Sequence, residues 1–274
     1  MTYAHTTTLH GSIVMPMHGL GVFQTQNGKE VRDTVTWAIE DGYRLIDTAA
    51  IYRNETGVGE AIATSGIPRD EIFVTTKLWN TEQGYESTLA ALDASLQRLS
   101  MDYVDLYLIH WPVPEKTEDT WRAMEHIQAQ GLSKAIGISN FEPHHLEQLM
   151  GAANIAPSVN QVELHPNLQQ RHIRSANTAV GCLTQAWSPL KQGKVLSDPT
   201  IEGVASELGV TSAQVVIRWQ IQSGIATIPK SVHQRRIQEN RDVFGFSLDT
   251  DQMAAMESLD NGDRIGPHPD NRDF

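Results

Sequence analysis

Eight short apolar runs alternate with stretches of helical periodicity along the 274 residues of this chain, and this alternation limits its fold more than any other feature. Runs that are apolar throughout are typical of parallel strands in a sheet that helices cover. Eight strand–helix units in a chain of this length predict a closed (β/α)₈ barrel, and an open doubly wound sheet is the alternative. The predicted strands are 18–20, 44–47, 71–77, 103–109, 134–139, 158–163, 182–187 and 225–228.

The stretches between these runs place apolar residues three and four positions apart, as on one face of a helix. Leu89, Leu92, Leu96 and Leu99 form the clearest such face. Asn54 is predicted to cap the helix after the second strand with its side chain. The predicted helices are 30–40, 54–65, 84–99, 117–130, 142–150, 171–180, 199–208 and 211–223.

The N-terminal residues 7–9 and 13–15 flank a glycine-containing turn at 10–12, which predicts a small hairpin before the barrel. No linker, low-complexity segment or charge block divides the chain, so the sequence predicts a single domain over residues 1–274. The one cysteine, Cys182, excludes an intrachain disulfide and is expected to be a buried, unreactive thiol.

The net charge of −12, from 33 acidic and 21 basic residues, argues against nucleic acid or an anionic membrane as a partner, because both need a basic surface. The polar, threonine-rich N-terminus lacks the basic and apolar regions of a signal peptide. No segment approaches the ~18 consecutive apolar residues that span a bilayer. We therefore expect a soluble, cytoplasmic protein with no nucleic-acid or membrane partner.

Polar and ionisable residues follow nearly every predicted strand, at the end of a barrel where active sites lie. Asp47, Lys77 and His110 come after three consecutive strands, and Tyr52 lies in the loop that follows Asp47. Strand ends need some polar residue, but they do not need an acid, a lysine and a histidine in succession. The sequence therefore predicts that these four residues form a catalytic group.

A tyrosine hydroxyl titrates near pH ~10 and is a poor acid at neutral pH unless its phenolate is stabilised, which an adjacent ammonium group does. Asp47 can keep Lys77 charged beside Tyr52, and His110 can orient a carbonyl oxygen. These roles suit reduction of a carbonyl group by hydride from a cofactor. Two alternatives remain: a barrel aldolase with Lys77 as the Schiff-base amine, and a non-catalytic nucleotide-binding regulator.

Six segments together resemble the signature segments of the aldo-keto reductases, in particular the bacterial branch with 2,5-diketo-D-gluconate reductases and glyoxal or methylglyoxal reductases. The segments are 42–55, 77–79, 108–112, 137–141, 160–163 and 228–231. The resemblance implies a TIM barrel with an N-terminal β-hairpin and two extra helices. It also implies Tyr52 as the proton donor, with Asp47, Lys77 and His110 as its partners, and NADPH bound in an extended form across the barrel mouth.

The same resemblance implies a set of cofactor-binding residues. They are Ser139, Asn140 and Gln161 for the nicotinamide carboxamide, Trp187 for stacking on its ring, Ser188 and Leu190 along the pyrophosphate, and Lys230, Ser231, Val232, Arg236, Glu239 and Asn240 for the adenosine phosphate. Between positions 230 and 241 there are four basic residues against one acid. This local positive charge favours NADPH, with its 2′-phosphate, over NADH.

The substrate cavity is expected to be lined by Phe23, Trp79, His110 and Trp111, with Phe23 standing where many relatives have a tryptophan. The chain after Leu259 is short, which favours an open site for small polar carbonyls. The family resemblance also implies a monomer. No metal site is expected, because the adjacent residues 144 and 145, both histidines, do not share a helix face.

Overall fold

The structure, a computed structural model, describes residues 6–271. Within this range eight parallel strands form one sheet in which every strand pairs with its neighbours in chain order. These strands are β3 (Leu20–Gly21), β4 (Leu45–Asp47), β5 (Phe73–Leu78), β6 (Val104–Ile109), β7 (Ser133–Ser139), β8 (Val159–Glu163), β9 (Leu183–Trp187) and β10 (Ala226–Thr227).

The sheet closes on itself between its first and last strands. Gly19 N–H donates to the carbonyl of Thr227 at 2.9 Å, and Thr227 N–H donates to the carbonyl of Met17 at 2.8 Å. A parallel bridge between His18 and Thr227 continues the ladder. The closed barrel is therefore confirmed, and the open doubly wound alternative is wrong.

Ten α-helices cover the barrel within the described range, two more than the number of barrel strands. The additional helices are the first of two that lie between β9 and β10 and the second of two that follow β10. The ten are α1 (Lys29–Glu40), α2 (Glu55–Thr64), α3 (Tyr85–Leu99), α4 (Pro114–Ala129), α5 (Pro143–Met150), α6 (Arg171–Ala179), α7 (Pro199–Leu208), α8 (Ser212–Gln222), α9 (Gln234–Arg241) and α10 (Thr250–Glu257).

A two-stranded hairpin closes the N-terminal end of the barrel. Strands β1 (Thr6–Thr8) and β2 (Val14–Pro16) pair antiparallel, and Met15 is fully buried. Met15 belongs to one apolar cluster with Leu45, Phe73 and Val159, which are the first residues of their strands. With this end filled by side chains, the opposite end, where the strands finish, is the open mouth of the barrel.

Two further apolar clusters lie between the sheet and its helices, one under α1 to α5 and α9, and the other under α6, α7, α8 and α10. All six residues of β5 and all six of β6 are buried. Burial on both sides explains why neither strand alternates between apolar and polar residues, although β5 includes two threonines and Lys77 and β6 includes Asp105. The core thus fixes the strand ends, and with them the side chains at the mouth.

The sequence located every barrel strand and the first eight helices to within about three residues, but it gave no bounds for α9 and α10. Helix α9 buries only Ile237 and Asn240 among its eight residues, so it has almost no apolar stripe. Helix α10 does carry a sequence signal, since the side chain of Asp249 accepts from the backbone N–H of Gln252 in a capping box.

Candidate active site

Strands β4 and β5 end side by side and bring an acid and a lysine together below the barrel mouth. Lys77 is fully buried, and its Nζ donates to Asp47 Oδ1 at 2.5 Å and to the carbonyl of Thr48 at 2.9 Å. The third contact of Nζ is with the hydroxyl of Tyr52 at 3.5 Å. An ammonium group has three N–H donors, so all three have a partner here.

The loop that carries Tyr52 is held in place by Asn54. Tyr52 ends a short 3₁₀ turn, Ala50–Tyr52, and Arg53 follows with a left-handed φ of 57°. Asn54 Oδ1 accepts from Thr48 Oγ1 at 2.8 Å, while Nδ2 donates to the carbonyls of Val22 and Thr25 at 2.9 and 3.0 Å. Asn54 is the N-cap residue of α2, as predicted, but its side chain makes no capping bond, because these three bonds use it to join two loops at the mouth.

The ionisation of this group follows from its burial and its pairing. Burial alone would lower the pKa of Lys77, but Asp47 and Tyr52 outweigh it and the pKa is raised. Burial raises the pKa of Asp47, and Lys77 and a hydrogen bond from Gln161 offset part of that rise. Burial also raises the pKa of Tyr52 by more than Lys77 lowers it. Tyr52 therefore keeps its proton at neutral pH, beside a charged lysine.

His110 follows β6 and packs its ring against Tyr52, with ring centroids 5.7 Å apart. Burial and then the charge of Lys77 hold its pKa well below the ordinary value of 6.5, so the imidazole is neutral. Its Nδ1 is buried without a hydrogen-bond partner among residues 6–271. An unpartnered ring nitrogen is less costly as an acceptor than as a donor, which leaves the proton on Nε2. His110 can therefore donate to a carbonyl oxygen.

The three predicted carboxamide-binding residues lie together on the ends of β7 and β8. Ser139 Oγ donates to the carbonyl of Gln161 at 2.7 Å, and Asn140 Nδ2 donates to the carbonyl of His110 at 2.9 Å. Gln161 Nε2 donates to Asp47 Oδ2 at 2.7 Å. All three are at most 4% exposed. These amides and the hydroxyl therefore form a polar floor that adjoins the buried lysine–acid pair.

Strand β9 ends beside this floor. The indole Nε1 of Trp187 donates to Asn140 Oδ1 at 2.8 Å, which fixes the ring next to the residues predicted to bind the carboxamide. Ser188 turns the chain with a left-handed φ of 48°, and Leu190 follows it, partly buried against α8. The residues predicted for the nicotinamide ring and the pyrophosphate are thus contiguous with Ser139, Asn140 and Gln161.

The predicted adenosine segment leads into α9. Lys230 and Arg236 are exposed and have no ion-pair partner in the described part of the chain, whereas Arg235 is paired with Glu239 at 2.8 Å. Ser231 and Asn240 are buried, and half-buried Val232 lines a groove of about 430 Å³ beside α1. This groove is away from the lysine–acid pair, and its walls include exposed charged residues, so we do not assign the substrate to it.

Arg241, which the sequence analysis counted with the other bases of this segment, lies at the opposite end of α9. Its guanidinium stands over the ring of Phe244, 5.6 Å from the ring centroid. The local positive charge at the start of the helix is therefore smaller than the sequence count indicated, and rests on Lys230 and Arg236, since Arg235 is paired with Glu239.

The aromatic residues expected around a substrate surround Tyr52 and His110. The ring of Phe23 lies 5.0 Å from that of Tyr52 and is 52% exposed, and the ring of Trp79 lies 5.2 Å from that of His110. Trp111 directly follows His110 and is 8% exposed. An apolar wall therefore flanks the proton-bearing groups, with Phe23 at its rim.

Glu163 is a buried residue whose role the sequence analysis missed. Its two carboxylate oxygens accept from the backbone N–H groups of Ile265 at 2.7 Å and Gly266 at 2.9 Å. These amides belong to the C-terminal tail, residues 260–271, which thereby lies beside Trp187. Burial would raise the pKa of Glu163, but the hydrogen bonds from His165 and from both amides lower it. The only sequence signal for this role is that Glu163 is an acid at the end of a buried strand; its partners in the tail cannot be identified from the sequence.

Further tail contacts form what we call the tail cluster: Glu142, His144, His145 and Glu163 on the barrel, with Arg264, His268 and Asp270 on the tail. His144 Nε2 and His145 Nε2 lie 3.1 and 3.5 Å from Asp270 Oδ1. His144 and His145 therefore do converge on one oxygen, and the expectation that their adjacent positions keep them on different faces is wrong. His145 Nδ1 accepts from the N–H of Glu142, so Nε2 carries the proton and faces Asp270 as a donor and not as a metal ligand.

The described part of the chain contains no helix that is both long and apolar enough to cross a membrane. The model of the Aldo/keto reductase family matches residues 18–261. The chain is 50% identical over 265 residues to "Glyoxal reductase" of Bacillus subtilis (strain 168), covering 97% of this chain and 96% of the relative. It is 46% identical over 261 residues to "Methylglyoxal reductase DkgA" of Escherichia coli (strain K12), covering 94% of each.

Among solved structures, the crystal structure of a Gox0644 mutant in complex with NADPH matches with a TM-score of 0.93 and 45% identity, over 98% of this chain and 99% of that one. The family match covers the barrel from its first strand to the beginning of the tail. The fold, the similarity to relatives over nearly their full length and the NADPH bound in this neighbour agree with one another. The chain is an oxidoreductase that belongs to the aldo/keto reductase family.

Proposed function

We propose that this protein reduces small aldehydes and ketones, with glyoxal and methylglyoxal as the first candidates, in an NADP-dependent reaction of the class that acts on CH–OH groups. Tyr52 is the proton donor. The observation that carries the proposal is the contact of the Tyr52 hydroxyl with the charged, fully buried Lys77, beside a neutral His110. It is supported by the similarity to a glyoxal reductase and a methylglyoxal reductase, at 50% and 46% identity.

Bound NADPH would supply the hydride for the carbonyl carbon, and the protein supplies the proton and the orientation. Tyr52 gives its phenolic proton to the carbonyl oxygen as charge develops there. Lys77, held by Asp47, stabilises the phenolate that remains until solvent reprotonates it. His110 donates from Nε2 to the same oxygen and so fixes its direction toward Tyr52. Phe23, Trp79 and Trp111 exclude water from one side of the carbonyl.

The donor set at the mouth fits NADPH. Ser139, Asn140 and Gln161 offer a hydroxyl and two amides, which match the donors and acceptors of a carboxamide. Trp187 offers a ring held by its own hydrogen bond, and Ser188 with Leu190 would line the pyrophosphate. Lys230, Ser231, Val232, Arg236, Glu239 and Asn240 would hold the adenosine phosphate, with the exposed cations Lys230 and Arg236 favouring a 2′-phosphate.

The aldolase alternative is disfavoured by the state of Lys77. A Schiff-base lysine must be neutral to attack a carbonyl, whereas pairing with Asp47 raises the pKa of Lys77 and all three of its N–H groups are engaged. No observation favours a non-catalytic regulator, since the predicted proton donor Tyr52, the Lys77–Asp47 pair and the aromatic wall are assembled together. We also propose that the chain acts as one domain and as a monomer.

The test is Tyr52→Phe, assayed with NADPH and methylglyoxal. We expect turnover to fall by about 10²- to 10⁴-fold, because the general acid is lost, while NADPH affinity stays within about twofold. Tyr43→Phe is the matched control, since it removes a buried hydroxyl that donates to the carbonyl of Ile237 far from the mouth. Turnover of Tyr52→Phe equal to that of Tyr43→Phe would mean that another group supplies the proton.

A panel of carbonyl compounds tests the substrate class. Catalytic efficiency with glyoxal, methylglyoxal and keto-gluconates should exceed that with steroid ketones, because Phe23, at 52% exposure, leaves the rim of the apolar wall open to solvent. Higher efficiency with the steroid ketones would refute this part of the proposal.

A further inference from the structure

A buried glutamine in β9, Gln185, lies inside the barrel and belongs to none of the predicted sites. It is fully buried, and its backbone is in register with that of Gln161 on the neighbouring strand. Its Oε1 accepts from Gln161 Nε2 at 2.7 Å. Glutamine is rarely found fully buried, and here an apolar side chain would fill the barrel interior as well. Its presence at this position calls for a specific contact, and Gln161 is that contact.

The orientation of the Gln161 amide follows from Asp47. A carboxylate only accepts hydrogen bonds, so the atom of Gln161 that lies 2.7 Å from Asp47 Oδ2 must be the amide nitrogen. The same nitrogen then faces Gln185, whose contacting atom must be its oxygen. Two acceptors thus hold the Gln161 nitrogen, and the Gln161 oxygen is left to meet another donor.

This arrangement costs stability, which an apolar residue that only filled the barrel interior would not. Gln185 Nε2 is buried and has no hydrogen-bond partner within residues 6–271. A buried donor without a partner is destabilising, and a methionine or leucine at this position would not carry that penalty. The chain retains this penalty at the position where Gln185 holds the amide of Gln161.

We propose that Gln185 is a positioning residue for the cofactor: together with Asp47 it holds the Gln161 amide nitrogen, so that Gln161 Oε1 accepts from the carboxamide N–H₂ of the nicotinamide. This inference rests on the proposed carboxamide-binding role of Gln161. Lys77, Asp47, Gln161 and Gln185 form one continuous line of hydrogen bonds across the barrel. The proton-donating end of the site and the cofactor-holding end are therefore parts of one network.

The test compares two ligands that differ in the nicotinamide alone: NADPH and 2′-phospho-ADP-ribose. Gln185→Met keeps the approximate volume and removes the acceptor. We expect its affinity for NADPH to fall about fivefold to tenfold, the value of one hydrogen bond, and its affinity for 2′-phospho-ADP-ribose to stay within about twofold. Titration calorimetry measures both. Equal losses for the two ligands would indicate general distortion of the barrel, and no loss for NADPH would also overturn the inference.

Gln185→Glu is the conservative variant. Burial and the neighbouring Asp47 both raise the pKa of a carboxyl group at this position, so it stays neutral and its carbonyl oxygen still accepts from Gln161. We expect NADPH affinity within about twofold of the unmodified protein. If Gln185→Glu binds NADPH as weakly as Gln185→Met, the acceptor oxygen is not what matters and the inference is wrong.

Gln161→Met separates this inference from the proposed function. It should weaken NADPH binding more than Gln185→Met does, and the double variant should bind no more weakly than Gln161→Met alone, because Gln185 acts through Gln161. If Gln161→Met leaves NADPH affinity unchanged, the carboxamide role itself fails. If Gln161→Met weakens binding and Gln185→Met does not, the role of Gln161 stands and that of Gln185 is refuted.

Discussion

Two groups of ionisable side chains near the barrel mouth each bring a basic residue next to an acid, one group in buried and the other in exposed surroundings. In the first, Lys77 and Asp47 form an ion pair whose side chains are 0% and 2% exposed. In the tail cluster, His144 and Asp270 lie 3.1 Å apart with side chains 60% and 45% exposed. The first pair stands on the ends of buried strands, and the second joins a helix start to the tail. The buried contacts hold the predicted catalytic side chains in place, whereas the exposed contacts attach the C-terminal tail to the barrel.

Burial decides what each contact is worth. A buried charge has lost its hydration, so removing its partner is strongly destabilising, whereas an exposed pair is screened by water and contributes little. The tail cluster is not uniform, however. Glu163 is fully buried and holds two backbone amides, while His144 is at the surface. The tail is therefore expected to depend on Glu163 and hardly at all on its exposed histidines.

The largest effect is expected from Lys77→Met. It leaves Asp47 as an uncompensated buried carboxylate, which should lower the free energy of unfolding by about 3–5 kcal/mol. Turnover should fall by about 10²- to 10⁴-fold, since Tyr52 loses the charge that stabilises its phenolate. Urea unfolding and steady-state kinetics with methylglyoxal measure the two effects.

Lys134→Met is the matched control for that variant. Lys134 also pairs with an aspartate, Asp105, at 2.9 Å, but its side chain is 39% exposed and Asp105 keeps Arg69 as a second partner at 2.8 Å. Its removal should lower the free energy of unfolding by less than about 1 kcal/mol and leave turnover unchanged. If both lysine variants lose equal stability, burial is not what distinguishes the two pairs.

The first of the two groups was largely predictable from sequence, and the second was not. Asp47, Lys77 and His110 each end an apolar run, so the barrel fold alone brings them together. Asn54 shows the limit of such reasoning: an asparagine before a helix predicts a cap, yet its side chain reaches Val22 and Thr25, some thirty positions earlier. Local pattern cannot reveal a partner that tertiary structure supplies.

The contacts of the tail were even less predictable, because an irregular segment has no periodic pattern of apolar residues from which its packing could be inferred. The two prolines of the tail, Pro267 and Pro269, limit its backbone freedom, but nothing in the sequence around them indicates that Glu163, about a hundred residues earlier, holds the backbone just before them. Gln185 is a similar case. It lies in a run whose apolar character predicts a strand, and only the register with Gln161 reveals its contact. Long-range polar contacts therefore account for most of what sequence missed.

Glu163→Gln should have the second largest effect. The glutamine has one acceptor oxygen, and its N–H₂ group would oppose one of the two backbone N–H groups that the carboxylate now accepts. We expect a loss of about 1.5–3 kcal/mol in the free energy of unfolding of the tail, measured as amide exchange at Ile265 and Gly266 at least tenfold faster. Glu257→Gln, an exposed glutamate on α10, is the control and should leave both rates unchanged.

The same variant gives a pH dependence. The pKa of Glu163 in the folded protein lies below its ordinary value of 4.5, so its contribution to stability is complete above that value and is lost as the pH falls through the folded pKa. The difference in free energy of unfolding between the unmodified protein and Glu163→Gln should therefore be constant near neutral pH and shrink below about pH 4.5. A difference that persists at pH 2 would show that the carboxylate charge is not its source.

Gly266→Ala tests how closely the tail lies on Trp187. A β-carbon at Gly266 would stand 2.5 Å from the Trp187 ring and 3.0 Å from Glu163 Oε2. The tail or the indole must move, which should cost about 1–3 kcal/mol and weaken NADPH binding through the displaced ring. Gly245→Ala is the control, because a β-carbon there meets no atom within 4 Å. Unchanged NADPH affinity in Gly266→Ala would mean that the tail yields without moving Trp187.

The smallest effect on stability is expected from His144→Asn, because the comparison of buried with exposed pairs predicts that an exposed pair contributes little. His144 and Asp270 are both at the surface, so their 3.1 Å contact is screened and should contribute less than about 0.5 kcal/mol at neutral pH. A double-mutant cycle with Asp270→Asn measures the coupling through amide exchange at Gly266. The cycle is informative because His145, at 3.5 Å, shares the same oxygen and remains in place. A coupling above about 1 kcal/mol would mean that the exposed cluster, and not only Glu163, holds the tail against the barrel.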